Sequence, residues 1–127
     1  MTRTRSSAKS AGTRFESLCR DGLNRLLGST TIERRAKNGA KDRGDLSGVY
    51  IGGEPCVVEC KDYGGELRLP QWLKEAEVER GNADAEYGVV IAKRRGTSKF
   101  EDQYVVMTGE TFAAIVAGGH EFLERGM

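Results

Sequence analysis

Apolar residues recur along this chain with changing period, and each change of period marks an element. Phe15, Leu18, Cys19, Leu23, Leu26 and Leu27 fall at helical spacing. They predict a helix that Thr13 caps and Gly28 closes, with Glu16 three residues after Thr13 completing a capping box. Residues 30–36 then alternate, Thr31, Glu33 and Arg35 against Ile32, Arg34 and Ala36, the period of a strand. A hairpin follows: LSGVYI, a turn at Gly52-Gly53-Glu54-Pro55, then CVVECK. Residues 71–85 return to helical spacing. Pro70 stands in the first turn, Leu69, Trp72, Leu73, Ala76 and Val78 are the apolar positions, and Lys74, Glu75, Glu77, Glu79 and Arg80 face solvent. The nearly unbroken run YGVVIAK, residues 87–93, predicts a central buried strand, and QYVVM a further one. Thr108 caps a last helix, GETFAAIVAGG, with Phe112, Ile115 and Val116 on its apolar side. Residues 1–12, polar and basic, predict a disordered arm. The order predicts an α/β fold, a mixed β-sheet flanked by helices, as a single domain over residues 13–127.

The second hairpin strand carries the chemistry. Side chains alternate faces along a strand, so Glu59 and Lys61 project together while Cys56, Val58 and Cys60 line the opposite, apolar face. Asp45, just ahead of the first hairpin strand, comes beside Glu59 when the two strands pair. Two converging carboxylates with a lysine beside them suit a hard divalent cation such as Mg²⁺, which keeps several waters and takes one or two protein carboxylates plus phosphate oxygens. The bland alternative is an exposed Glu-Lys pair with Asp45 as a turn residue.

Asp45 followed by Glu59-Cys60-Lys61 on the next strand resembles the PD-(D/E)XK nuclease superfamily, over roughly residues 13–107. Gly44 stands where that pattern often has proline, a residue that shapes the turn. The resemblance implies a restriction-endonuclease-like fold and Mg²⁺-dependent hydrolysis of DNA to a 5′-phosphate, with Mn²⁺ able to substitute. It implies Asp45, Glu59 and the Cys60 backbone carbonyl as metal ligands, and Lys61 as the residue that orients water and offsets charge. Within the superfamily the chain is most similar to archaeal-type Holliday junction resolvases, in the manner of a phage or plasmid member. There a first-helix glutamate binds metal through water, so Glu16 has that reading beside the capping-box one. Gln71, at the head of the second helix, is either near the metal or a plain first-turn polar residue. A four-way junction presents two equivalent scissile phosphates, so a resolvase of this size implies a homodimer, with Val106, Phe112 and Ile115 as candidate interface residues or ordinary core.

Charge sharpens the picture. The net charge is only +1, yet residues 1–44 hold eleven Lys/Arg against four Asp/Glu, and residues 45–127 nine against fifteen. A basic front half fits phosphate contact, which positions a protein without reading sequence. The candidates are Arg3, Arg5, Arg14, Arg34, Arg35, Lys37, Lys41, Arg43, Lys93, Arg94 and Arg95. A solvated basic tail is the alternative. Other readings keep the superfamily but make flaps or free ends the substrate, or keep the fold for DNA binding without turnover. Three cysteines without CxxC spacing and a lone His120 argue against zinc and for reduced thiols in a cytoplasmic protein. No apolar run or leader pattern suggests a membrane.

Overall fold

The computed structural model describes residues 3–36 and 41–126. The apolar run at its centre is β5 (Tyr87–Ala92), flanked by β4 (Glu54–Lys61), which is parallel to it, and β6 (Tyr104–Val106), which is antiparallel. Both faces of β5 are covered, so its sequence shows no polar alternation. Tyr87, Val89 and Ile91 join Cys56, Val58 and Cys60 against Phe15 and Cys19 of α1 (Arg5–Leu27). Val90 and Ala92 turn the other way, onto Trp72 and Ala76 of α2 (Leu69–Ala83), the crossover that a parallel pair requires. Ala114 of α3 (Gly109–Ala117) completes the first cluster, and the Thr108 side chain accepts a hydrogen bond from the Thr111 N–H as expected of an N-cap. The result is a mixed six-stranded sheet with three helices packed against it. Among the described residues no helix is long and apolar enough to cross a membrane.

Two expected boundaries move. Thr13 lies inside α1, which begins at Arg5 with Thr4 as its cap, accepting from the Ser7 N–H at 3.1 Å. Residues 5–12 are therefore helix and not a disordered arm. They supply one buried residue, Ala11, too little apolar surface for periodicity to register. The strand expected over residues 30–36 pairs only as β1 (Glu33–Arg34). Its first part is tied to α1 instead, since Asn24 Nδ2 donates to the Ile32 carbonyl at 2.9 Å and the Ile32 N–H donates back to Asn24 Oδ1.

The hairpin is more than two straight strands. Its first arm is split into β2 (Leu46–Ser47) and β3 (Tyr50–Ile51), both antiparallel to β4. Near the turn Tyr50 faces Pro55, and the Cys56 N–H donates to the Val49 carbonyl at 2.9 Å. Further along, Leu46 faces Val58. Ser47 and Gly48 thus oppose Val57 alone, which is a β-bulge. Gly48 sits at φ +85°, and a Cβ there would meet the Thr31 carbonyl oxygen at 2.6 Å. Glycine is required on both counts.

A paired substitution tests this architecture by urea unfolding. Gly48→Ala should cost about 2 kcal/mol or more, from a positive φ and a backbone collision. Gly12→Ala, at an unobstructed position inside α1, should stabilise by about 0.5–1 kcal/mol. An unchanged midpoint for Gly12→Ala would mean that α1 does not extend to Arg5.

Candidate active site

The bulge decides which side chains meet. Without it, the register near the turn would set Asp45 opposite Cys60, on the core face. With it, Leu46 pairs with Val58 on the core face, so Asp45, just ahead of β2, turns to the other face, and its N–H donates to the Val58 carbonyl at 2.8 Å. Asp45 Oδ2 accepts from the Cys60 N–H at 2.8 Å, which fixes the carboxylate against β4. Asp45 and Glu59 are 3% and 5% exposed. Lys61 extends from the same face of β4, its Nζ 3.5 Å from Glu59 Oε2 and 2.6 Å from Glu75 Oε2.

These groups line a cleft of about 790 Å³ together with Glu16, Asp42, Asp62 and Tyr63. It opens where β4 ends, at the carboxyl end of the parallel pair, the usual place for ligands in an open α/β sheet. Arg3, Arg68 and Arg95 also line it. Arg3 donates to the Asp62 carbonyl and side chain, Arg95 Nε to the Gly64 carbonyl, and the Arg68 guanidinium stacks 4.7 Å from the Tyr63 ring centre. An acidic floor with guanidinium groups around it suits a polyanion bound through a cation.

The remaining expected residues divide. Glu16 is buried and accepts from Arg34 Nε at 3.3 Å. It belongs to the cleft and not to a helix cap, because Thr13 caps nothing. Gln71 lies outside the cleft lining, exposed, donating to Glu75 Oε1 at 3.2 Å; it reaches the site only through the carboxylate that holds Lys61. Arg5, Arg14, Lys41 and Arg43 lie away from the cleft lining, Arg5 and Lys41 exposed and Arg14 and Arg43 at or near the surface. Arg35 is half-buried, with its N–H on the Asp45 carbonyl. Lys93 lies outside the cleft lining and donates to the Arg94 and Thr97 carbonyls of its own loop. Arg94 lies over the Tyr104 ring. Lys37 falls outside the described residues.

Four residues of the site went unread in the sequence: Asp42, Arg68, Glu75 and Glu79. Two of them, Glu75 and Glu79, are expected toward solvent from residue type. Glu79 is 7% exposed, whereas Val78, expected inside, is 59% exposed. The helical period held the signal, since Glu79 is three residues beyond Ala76 and seven beyond Trp72, both buried. Residue type overrode it.

Burial drives the electrostatics. Glu59 is pushed up to about 7, first by desolvation, against which a proton shared with Glu79 and the charge of Lys61 pull down while Asp45 and Asp42 push up. Glu79 is pushed up to about 10 by burial and then by the Glu59 and Asp42 carboxylates. For Lys61, burial pulls down, but the Glu75 hydrogen bond and the Glu59 and Glu75 charges outweigh it and hold the ammonium above its ordinary range.

By fold and site the molecule is an α/β protein with an acidic, arginine-rimmed cleft at the carboxyl end of two parallel strands. Compared with protein-family models, curated proteins and solved structures, the chain matches none.

The sign of the Glu59 shift gives a test. A carboxyl raised from 4.5 to about 7 favours folding most below pH 4.5, and that contribution is lost as pH rises through 7. In EDTA, Glu59→Gln should therefore gain stability over wild type between pH 5 and pH 8, by up to about 3 kcal/mol. Urea unfolding at both pH values checks it; an equal gap at the two would contradict the desolvated carboxylate.

Proposed function

We propose that this protein is a divalent-metal-dependent DNA endonuclease with a restriction-endonuclease-like fold, acting on branched DNA as a Holliday junction resolvase does. The observation that carries the reading is the convergence of Asp45, Glu59 and Lys61 on one face of the sheet, buried at the floor of an open cleft. The donor set fits Mg²⁺ or Mn²⁺: it is all oxygen, carboxylate and carbonyl, and Glu59 Oε1 is buried with no N–H donor among the described residues.

A bound divalent cation would supply Lewis-acid stabilisation of phosphate charge and acidify a water. The chain's own residues do the rest. Asp45 and Glu59 would hold the ion, with the Cys60 carbonyl alongside and Glu16 acting through water. Lys61 keeps its proton at neutral pH, so it serves as a fixed cation. It orients the attacking water and offsets the charge that grows on the phosphoryl oxygens as the P–O3′ bond breaks. Lys61 Nζ is held by Glu75 Oε2 at 2.6 Å, so this role requires it to exchange that partner for the phosphate. Arg3, Arg68 and Arg95 would take flanking phosphates, which fixes position by shape and charge, not by base identity.

Two equivalent cuts in a junction call for two copies of this site, hence a homodimer. Of the apolar residues considered for its interface, Val106 and Ile115 pack onto the two core clusters. Phe112 is 59% exposed, and Val105, Val116 and Phe122 are exposed with it.

The deciding experiment compares cleavage of a synthetic four-way junction, linear duplex, flap and single strand, with Mg²⁺ and with EDTA. Wild type should cut the junction in paired incisions only with Mg²⁺, while Lys61→Ala loses at least about 100-fold. Equal nicking of linear duplex would point to a general nuclease, and tight binding without any cleavage to a DNA-binding module.

Binding itself should weaken steeply with salt, because phosphate contacts release counterions, by orders of magnitude between low and moderate salt. Neutralising Arg68 and Arg95 together should flatten that slope by about 2. An unchanged slope in titrations followed by fluorescence anisotropy would place the DNA surface elsewhere.

A further inference from the structure

Beside Glu59, toward α2, lies a second group of acids that the Asp45 site does not use. Asp42, Glu59 and Glu79 each offer a carboxylate oxygen, and these oxygens lie within 4.8 Å of one another. Three separate segments bring them together: the loop before β2, strand β4 and helix α2. The loop is docked onto the helix by Asn82 Nδ2, which donates to the Asp42 carbonyl at 2.9 Å, while Asp42 Oδ1 accepts from the Gly44 N–H.

Acids that merely cluster on a surface are solvated. Two of these are not: Glu59 and Glu79 are 5% and 7% exposed, with Asp42 half-buried beside them. Glu59 Oε1 and Glu79 Oε2 are both buried with no hydrogen-bond partner among the described residues, save a proton that the two carboxyls could share. Nor does any cation among the described residues pair with Asp42 or Glu79; of the three acids Glu59 has one, Lys61 Nζ at 3.5 Å from Oε2, and that ammonium is also held by Glu75 at 2.6 Å. Buried carboxylates without donors or counter-charges are costly, and burial of such groups is ordinarily accompanied by pairing or by a metal. Separations of no more than 4.8 Å are compatible with one shared cation, since oxygens on opposite sides of an ion stand about 4–5 Å apart at ordinary Mg²⁺ to Ca²⁺ ligand distances and adjacent ones stand closer.

We propose that Asp42, Glu59 and Glu79 form a second divalent-cation site, for an ion of the Mg²⁺ or Mn²⁺ class, that shares Glu59 with the Asp45 site. This deepens the nuclease reading and rests on it only for the role of the ion. Two cations bridged by one carboxylate at a phosphate cleft can stabilise both the attacking and the leaving oxygen. Glu79 and Asp42 are then metal ligands, and α2 is tied to the sheet through the ion.

Ion binding can be measured without turnover. Isothermal titration of the metal-free protein with Mn²⁺, together with electron paramagnetic resonance of the free ion, should give two ions per chain. Glu79→Gln and Asp42→Asn should each retain one ion, bound at the Asp45 site, and lose the other or weaken it by at least about tenfold. The amide that Glu79→Gln introduces can donate to Glu59, so this variant reproduces a protonated Glu79. If the pair merely shares a proton, the ion count will equal that of wild type, and the proposal is overturned. It is overturned equally if wild type binds a single ion that only Asp45→Asn removes. Circular dichroism of each variant verifies the fold, and junction cleavage is scored separately, so loss of the nuclease reading would leave the ion count standing as its own result.

Discussion

The register of one strand pair governs which side chains gather in the cleft of this molecule. Ser47 and Gly48 oppose the single residue Val57, and the extra residue turns Asp45 from the core face to the face of Glu59 and Lys61. A one-residue slip inverts every side chain beyond it. The bulge therefore determines whether there is a site at all. Its geometry depends on a glycine at positive φ packed against the Thr31 carbonyl, so the loop before β1, the hairpin and the site are bound into one steric arrangement.

Around that arrangement the protein concentrates negative charge where water is scarce. Glu16, Asp42, Asp45, Glu59 and Glu79 approach the end of β4 from α1, the β2 loop, β4 and α2. Lys61 and Arg34 offset part of this charge, and the arginines at the cleft mouth stand further out. Burial first, and the neighbouring carboxylates after it, raise the Glu59 and Glu79 carboxyls above their ordinary range. The apolar face of the same strands supplies the compensating stability: Leu46, Val58 and Ile91 are nearly inaccessible, and Cys19, Cys56 and Cys60 behave there as small buried hydrophobes, with burial pushing the Cys56 thiol up to about 11.

Local patterning made much of this legible. The unbroken run at β5, the Thr108 cap of α3 and the alternation of β4 were all readable, because each depends on neighbours within a few residues. The start of α1 was not, since residues 5–12 bury little beyond Ala11 and leave no periodic stripe. Nor were the partners of Lys93, whose ammonium donates to carbonyls of its own loop, a matter of how that loop closes.

The sequence by itself determined the α/β order of elements, the sheet's central strand, and the placement of Glu59 and Lys61 on one face of β4, because strand period and apolar spacing are properties of the chain. The tertiary structure decided which acids gather there. Asp45 meets Glu59 through a bulge that no period announces, and Glu79 faces inward because Trp72 and Ala76 fix the rotation of α2. Asp42 arrives on a loop held by Asn82, a contact between residues 40 apart in the chain. Convergence of distant residues is a property of packing, where one helix's rotation and one strand's register select among faces that the local sequence leaves equivalent.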